Sequence, residues 1–241
     1  IPGRAFCTPR NRQLARVLRD MGARLGTPDA TAVFADSPVE GMITVTADSV
    51  FAPDGSILSP ADSPEDRLAW ARSHMPVTLD AASSLDLTGV RIGVALVLEP
   101  KTAVLALALA DAGAEVFVFG HAEEVRPAVA DALRQAGLTV FADPDPTREE
   151  QLARDFLSCG LHLLLDDGSH LIRLAHEVEG ALDHLIGAAE ETTSGLRPLR
   201  EWQQAGRLRI PVMASNDART KTLFDNAYGT GQSCWTTVLD I

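Results

Sequence analysis

Short apolar runs alternate with longer amphipathic segments along most of the chain. The apolar runs predict strands at residues 90–98, 115–120, 138–143, 161–168, 186–192 and 209–217. Segments with helical spacing lie between them, at residues 101–114, 121–137, 147–160, 169–185 and 194–206, the third with an expected threonine cap. This alternation predicts an α/β fold: a doubly wound, mostly parallel sheet with helices on both faces.

The first 64 residues follow a different pattern. Residues 10–26 place apolar side chains at helical spacing and end at a glycine, which predicts an amphipathic helix. Residues 27–64 are rich in Pro, Asp, Ser and Thr, with a strand-like stretch before a turn at residues 53–55. We therefore expect a helix and an irregular or hairpin-containing extension over residues 1–64, followed by an α/β domain over residues 65–241.

Composition narrows the class of protein. The net charge of −12 argues against a general nucleic-acid binder, because such binding depends on basic groups that neutralise phosphates. No apolar run reaches the roughly 18 residues of a membrane span, and no charged-then-apolar signal pattern opens the chain. Three cysteines without CxxC spacing favour a reducing, cytoplasmic setting. Because the chain begins at Ile1, we expect further residues ahead of it.

Ligands of parallel sheets bind at the carboxyl ends of the strands. The segments to inspect are therefore residues 97–101, 166–169, 190–194 and 215–217. Three of these four segments carry polar clusters directly after apolar strands. This coincidence indicates a binding or catalytic site.

Two of the clusters have both a functional and a structural interpretation. Asp166 and Asp167 end an apolar run, and such a pair serves either acid–base chemistry or the capping of the next helix. The stretch EETTS (190–194) offers hydroxyl and N–H groups at a helix start, which suit a phosphate, a ribose or an amide. An ordinary N-cap explains the same residues.

Lysine is rare in this chain. It occurs only at positions 101 and 221, whereas the other 19 of the 21 basic residues are arginine. Lys221 and Asp225 are four residues apart, which is the spacing of a surface ion pair on a helix. Lysine differs from arginine in that burial can lower its pKa enough for proton transfer. The six histidines show no metal-ligand spacing, so we assign no metal.

Four ordered stretches carry a family resemblance: DRLAWARSHMP, LLLDDG, AAEETTSG and SNDARTKTLFDNAYGTGQS. Together they resemble the S-adenosylhomocysteine hydrolase family, in register from about residue 66 to residue 241. The resemblance implies tightly bound NAD, oxidation of a nucleoside 3′-hydroxyl, elimination of the 5′ substituent, addition of water and restoration of the hydroxyl. It also implies that residues 65–241 form a Rossmann-like substrate-binding domain.

The resemblance implies roles for five residues at the reacting ribose. Lys221 matches the lysine that helps to deprotonate the 3′-hydroxyl, and Asp225 matches its partner at the ribose hydroxyls. Glu191 matches the carboxylate on the 2′-hydroxyl side. Asp167 matches the aspartate linked to proton transfer at the reacting carbons, and Asn216 matches a structural or catalytic asparagine.

The resemblance also implies contacts with NAD. The positions that match cofactor contacts are Thr192, Thr193, Ser194 and Asn226. The family continues into a Rossmann domain with a GxGxxG motif, which supplies most NAD contacts, and no such motif occurs before Ile241. We expect this chain to be part of a longer protein, or a separate chain to supply that domain.

The sequence departs from the family where the base is read. Val97 replaces the catalytic histidine, Glu99 replaces a base-contacting threonine, and Lys101 replaces a base-contacting Glu or Gln. An aspartate after the DDG is replaced by His170. We expect Glu99, Lys101 and His170 to contact the substrate. Lys101 would donate to a purine carbonyl oxygen, bind a phosphate, or pair with Glu99.

Three functions remain open at this stage. The first is an NAD-dependent hydrolase or lyase that oxidises the 3′-hydroxyl of a non-standard nucleoside before elimination, dehydration or epimerisation at C4′ and C5′, as in antibiotic biosynthesis. The second is orthodox adenosylhomocysteinase activity with a relocated acid–base group such as His170. The third is a non-catalytic regulatory paralogue. The expected partner is a nucleoside, with no membrane or nucleic acid, and the resemblance implies a homotetramer or dimer.

Overall fold

Six strands form one sheet, and every neighbouring pair in it is parallel. The strands are β1 (Arg91–Ala95), β2 (Glu115–Gly120), β3 (Thr139–Ala142), β4 (Leu163–Asp166), β5 (Gly187–Glu190) and β6 (Val212–Ala214). Their order across the sheet is β6-β5-β4-β1-β2-β3. This is the Rossmann order, which reverses direction between β1 and β4.

Two helices come before the first strand of the sheet, and the others lie between successive strands. Their bounds are α1 (Pro64–Ser73), α2 (Pro76–Ser83), α3 (Pro100–Asp111), α4 (Pro127–Gln135), α5 (Glu149–Leu157), α6 (His170–Ala175) and α7 (Thr193–Gln204). A 3-10 turn at Ser215–Asp217 and a π-type helix at Lys221–Gln232 come last. The described residues of this computed structural model are 64–232 and 234–235, with the backbone of five short strand segments before them.

Each face of the sheet has its own apolar cluster. Side chains of a strand point alternately to the two faces, so Val116 and Val118 of β2 join one cluster, whereas Phe117 and Phe119 join the other. Helices α3 and α4 cover the first face, and α5, α6 and α7 contribute to the second cluster. Helices therefore cover both faces, which confirms the predicted doubly wound α/β fold.

Contacts divide the chain into two units. One unit spans Ser63–Thr222 and holds the parallel sheet, and the other combines Ile1–Asp62 with Leu223–Ile241. In the second unit, the backbone of Ala23–Arg24 pairs antiparallel with Val33–Phe34, and Val50–Phe51 pairs with Ile57–Ser59 on either side of the predicted turn. The predicted helix over residues 10–26 is wrong at Ala23–Arg24, and its earlier residues lie outside the described part.

Two local predictions in the sheet unit need correction. The helix predicted over 169–185 ends at Ala175, where the His176 ring bonds to the carbonyl of Ile172 and accepts from the Arg209 amide. Those bonds satisfy backbone groups outside a helix, so the helix does not continue. The predicted threonine cap of α5 is also wrong. A 3-10 turn at Pro146–Arg148 leads into α5, and Asp145 caps that turn, since its carboxylate accepts from the amide of Thr147 at 2.9 Å.

Candidate functional site

The carboxyl ends of β1 and β4 meet at the point where the strand order reverses. The amide of Asp167, just after β4, donates to the carbonyl of Ala95, the last residue of β1, at 3.2 Å. Crevices at such reversal points are where open α/β sheets bind ligands. The loops that follow β4, β5 and β6 therefore define the candidate site.

A fully buried glutamate, Glu190, holds two of these loops together. Its Oε1 accepts from the amides of Gly168 at 2.9 Å and Thr192 at 2.8 Å. Its Oε2 accepts from the amide of Ser169 at 2.8 Å. A buried carboxylate is tolerated only when such bonds compensate for its lost hydration. Glu190 thus fixes the loop after β4 against the loop after β5.

The loop after β4 has an unusual backbone. Gly168 and Ser169 both have positive φ, 87° and 58°, and for Ser169 that conformation is uncommon. Asp166 accepts from the amides of Asp167 at 3.0 Å and Ile172 at 2.8 Å, which closes the turn into α6. Burial, with a contribution from the charge of Glu190, raises the pKa of Asp166 to about 7. Asp166 therefore has a structural role.

Lys221 lies between a carboxylate and an amide oxygen. Its Nζ is 3.1 Å from Glu191 Oε1 and donates to Asn216 Oδ1 at 3.1 Å. Asn216 Oδ1 also accepts from the hydroxyl of Thr193 at 3.1 Å, and Thr222 donates to the Asn216 carbonyl. Only 19% of the Lys221 side chain is exposed. Residues from three separate segments thus converge on one ammonium group.

Asp167 is within electrostatic reach of the Glu190 and Glu191 carboxylates. Burial, together with the charges of Glu191, Glu190 and Glu124, raises the pKa of Asp167 to about 6. At neutral pH the group is ionised, yet it accepts a proton more readily than an ordinary aspartate. This combination suits a general base.

The hydroxyls that were predicted to contact NAD have different tasks. The Thr192 hydroxyl donates to Glu190 and accepts from the Gly195 amide at 3.0 Å, so it caps α7. Thr193 and Ser194 are exposed at the start of this 12-residue helix. Exposed hydroxyls at a helix N-terminus fit a ribose hydroxyl or phosphate of a dinucleotide. Contact of Thr192, Thr193 and Ser194 with NAD stays a prediction.

The residues predicted to read the substrate lie at the starts of α3 and α6, the helices that follow β1 and β4. Lys101 Nζ is 3.0 Å from Glu99 Oε1 at the start of α3, so the predicted pairing of these two residues is present. His170 begins α6 beside His121, with 5.6 Å between the ring centroids. Contact of these three with a substrate stays a prediction. Asp225 and Asn226 belong to the second unit, and their roles also stay predictions.

Sequence reasoning missed the residues that organise the site. Glu190 and Gly195 belong to the stretch AAEETTSG, but the resemblance implied roles only for its second glutamate, Glu191, and for its hydroxyl side chains. Gly195 leaves the space that the Glu190 carboxylate occupies, because a Cβ there would overlap it. The pairing of His121 with Glu149 was also missed. The position of His121 directly after an apolar strand was the available signal.

Curated proteins of known name are similar to this chain. It is 38% identical over 185 residues to the adenosylhomocysteinase of Thermotoga maritima and 41% over 175 residues to that of Archaeoglobus fulgidus. It is 40% identical over 190 residues to the S-inosyl-L-homocysteine hydrolase of Methanothermobacter thermautotrophicus. These alignments cover 73%, 69% and 76% of the chain. The chain belongs to the adenosylhomocysteinase family.

The chain matches less than half of the length of each of these relatives. The chain spans 45%, 43% and 46% of the lengths of these three relatives. No protein-family model matches it. Among solved structures, the L-tryptophan dehydrogenase of Nostoc punctiforme has a TM-score of 0.42 and 14% identity, over 75% of this chain and 50% of that one. A likeness this weak carries no argument about function.

Two features are absent from the part of the chain that the structure describes. Among residues 64–232 and 234–235, no helix is long and apolar enough to cross a membrane. The same residues include no group of three or more His, Cys, Asp or Glu side chains that could hold a metal ion.

The first prediction concerns the space beside Glu190. We expect Gly195→Ala to lower the free energy of unfolding by about 2–4 kcal/mol, because the new methyl group displaces a buried, hydrogen-bonded carboxylate. Urea denaturation measures the loss, and Gln203→Ala, exposed on the same helix, is the control. A Gly195→Ala protein as stable as the wild type would show that Glu190 does not need this space.

The second prediction concerns Asp167. Its pKa in the folded state is raised to about 6, so the ionised form destabilises the fold at higher pH. We expect Asp167→Asn to be more stable than the wild type by about 1 kcal/mol at pH 8, allowing for solvent screening of this partly exposed group. The advantage should vanish as the pH falls from about 6 towards 4.

Urea denaturation across this pH range checks the second prediction. Asp80→Asn, at an exposed position of α2, is the control and should leave the pH dependence unchanged. An Asp167→Asn advantage that is constant with pH would contradict the raised pKa.

Proposed function

We propose that this chain forms the nucleoside-binding part of an NAD-dependent hydrolase of the adenosylhomocysteinase type. The Lys221 network carries the proposal most strongly. A partly buried ammonium group between Glu191 and Asn216 presents donors and acceptors about 3 Å apart, which suits the adjacent 2′- and 3′-hydroxyls of a ribose. The known names of the relatives support the same substrate class.

Each residue then has a chemical task. Glu191 accepts a hydrogen bond from the 2′-hydroxyl, and Lys221 assists loss of the 3′-hydroxyl proton. NAD, when bound, supplies the oxidation at the 3′ carbon and its later reversal. A 3′ carbonyl makes the neighbouring C4′ proton acidic, and Asp167 takes that proton. Asp225 assists at the ribose hydroxyls, in keeping with the resemblance.

Three further residues are proposed to contact the cofactor. Thr193 and Ser194 would hold a polar group of NAD through their exposed hydroxyls, and Asn226 would add a further contact. The relatives are more than twice as long as the matched region, which leaves room for a domain that binds the rest of NAD. A cytoplasmic homotetramer, as the resemblance implies, completes the proposal.

The base is proposed to carry a ring carbonyl, which makes the nucleoside non-standard in comparison with adenosine. The Lys101 ammonium would donate to such an oxygen. Glu99, whose Oε1 is 3.0 Å from Lys101 Nζ, would accept from the adjacent ring N–H. An elimination, dehydration or epimerisation at C4′ and C5′ would use the same oxidised intermediate. The second candidate is orthodox hydrolysis of S-adenosylhomocysteine, which two relatives named adenosylhomocysteinase favour.

The third prediction tests the oxidation. Full-length protein loaded with NAD should produce NADH absorbance on mixing with S-inosyl- or S-adenosyl-L-homocysteine, and should release homocysteine. Lys221→Met should lower the rate of NADH formation by about 10²- to 10⁴-fold, because the 3′-hydroxyl loses the group that assists removal of its proton. Arg197→Met, on an exposed face of α7, is the control. Unchanged NADH formation in Lys221→Met would contradict the proposal.

The fourth prediction tests the base. We expect the wild type to favour S-inosyl- over S-adenosyl-L-homocysteine in kcat/KM, and Lys101→Gln to lower that ratio by about tenfold or more, because the cationic donor to the carbonyl oxygen is lost. Competition between the two substrates measures the ratio, with Arg197→Gln as the control. A ratio that Lys101→Gln leaves unchanged would favour the orthodox substrate.

A further inference from the structure

A second titratable cluster lies at the carboxyl edge of the sheet, away from Lys221. His121 follows β2, and its Nδ1 is 2.9 Å from Glu149 Oε1 at the start of α5. The other oxygen, Oε2, accepts from the amide of Ala122 at 2.9 Å. The His170 ring packs against the His121 ring at 72°. The exposed fractions of the His121 and Glu149 side chains are 24% and 29%, so water only partly reaches the pair.

Glu149 fixes the tautomer of His121. Burial acts to raise the pKa of Glu149, but the hydrogen bonds from His121 and Ala122 outweigh it and leave the pKa below its ordinary value. An ionised carboxylate only accepts hydrogen bonds, so the neutral imidazole carries its proton on Nδ1. Nε2 is then a free lone pair that can gain and give back a proton.

His170 is less suited to this exchange. Burial lowers its pKa, and the neighbouring charges of His121 and Arg173 lower it further. None of the hydrogen bonds among residues 64–232 that the structure shows ends on its ring, so nothing there fixes its tautomer. Its ring packs on His121 and shields it from water. The other charged groups around the pair are Glu124, Glu150, Asp166 and Asp167.

The sheet order places this cluster opposite the ribose site. Strands β2 and β4 lie on either side of β1, so His121 and His170 meet above the end of β1. The charges of Glu191 and of His121 both act on Asp167. Asp167 is therefore within electrostatic reach of both the ribose site and the His121–Glu149 pair.

We propose that His121, positioned by Glu149, transfers the protons at the 5′ side of the nucleoside. The inference rests on the proposed function, because it needs the 3′-oxidised nucleoside. Asp167 removes the C4′ proton, the electrons of that C–H bond form the C4′=C5′ double bond, and the C5′–S bond breaks. Protonated His121 gives its Nε2 proton to the departing sulfur, which leaves as a thiol.

The return step balances the first. Neutral His121 takes a proton from a water molecule whose oxygen bonds to C5′, and Asp167 returns a proton to C4′. Both residues end in the protonation states in which they started. The cycle adds one water molecule and releases one thiol, which is the stoichiometry of hydrolysis.

The fifth prediction is a split between two readouts of the full-length, NAD-loaded protein with S-inosyl- or S-adenosyl-L-homocysteine. His121→Gln should form NADH within about threefold of the wild-type rate. The final nucleoside and the thiol should appear at least about 10²-fold more slowly, so that NADH accumulates. A change that only damaged the fold would reduce both signals. His121→Gln that turns over at the wild-type rate would overturn the inference.

Glu149→Gln provides the second variant. Its amide oxygen can still accept from Nδ1, but the negative charge that stabilises protonated His121 is gone. Thiol release should therefore slow by about tenfold or more, with NADH formation retained. Thiol release at the wild-type rate would overturn the positioning role. Wild-type protein that forms no NADH would instead overturn the proposed function, and this inference with it.

Discussion

The buried carboxylate of Glu190 is the interaction on which the site depends. It accepts hydrogen bonds from amides of two loops that follow neighbouring strands, and no water molecule could replace it without loss of their relative position. Gly195 makes room for it, and Thr192 completes its shell. The next residue along, Glu191, is thereby aimed at Lys221. One buried carboxylate thus fixes the loop after β4 relative to the loop after β5, at the carboxyl edge of the sheet.

That edge concentrates negative charge. Asp166, Asp167, Glu190 and Glu191 lie at the ends of two adjacent strands, in a chain whose net charge is already −12. Burial, reinforced by this crowding, raises the pKa values of Asp166 and Asp167, which costs stability at neutral pH. Lys221 forms an ion pair with one of these acids, Glu191. A cation paired with an acid, beside a base with a raised pKa, is the electrostatic arrangement expected of a proton-transfer site.

Sequence patterns predicted the strands and their parallel arrangement because buried strands and amphipathic helices leave distinct periodicities. They also predicted the meeting of Glu191, Asn216 and Lys221, through the rule that ligands bind at strand ends and through the family motifs. They did not predict Glu190 as the organiser, because its role arises from amides on another loop, 21 and 22 residues away. The early end of α6 at Ala175 was missed for a similar reason, since Arg209 satisfies His176 from a distant segment.

The central claim is that Lys221 and Glu191 hold the two ribose hydroxyls of a nucleoside. A crystal structure of the full-length protein with NAD and bound inosine or adenosine tests it most directly. The account predicts the 3′-hydroxyl oxygen within about 3 Å of Lys221 Nζ and the 2′-hydroxyl within hydrogen-bond reach of the Glu191 carboxylate. A nucleoside bound with its ribose away from both side chains would contradict the account.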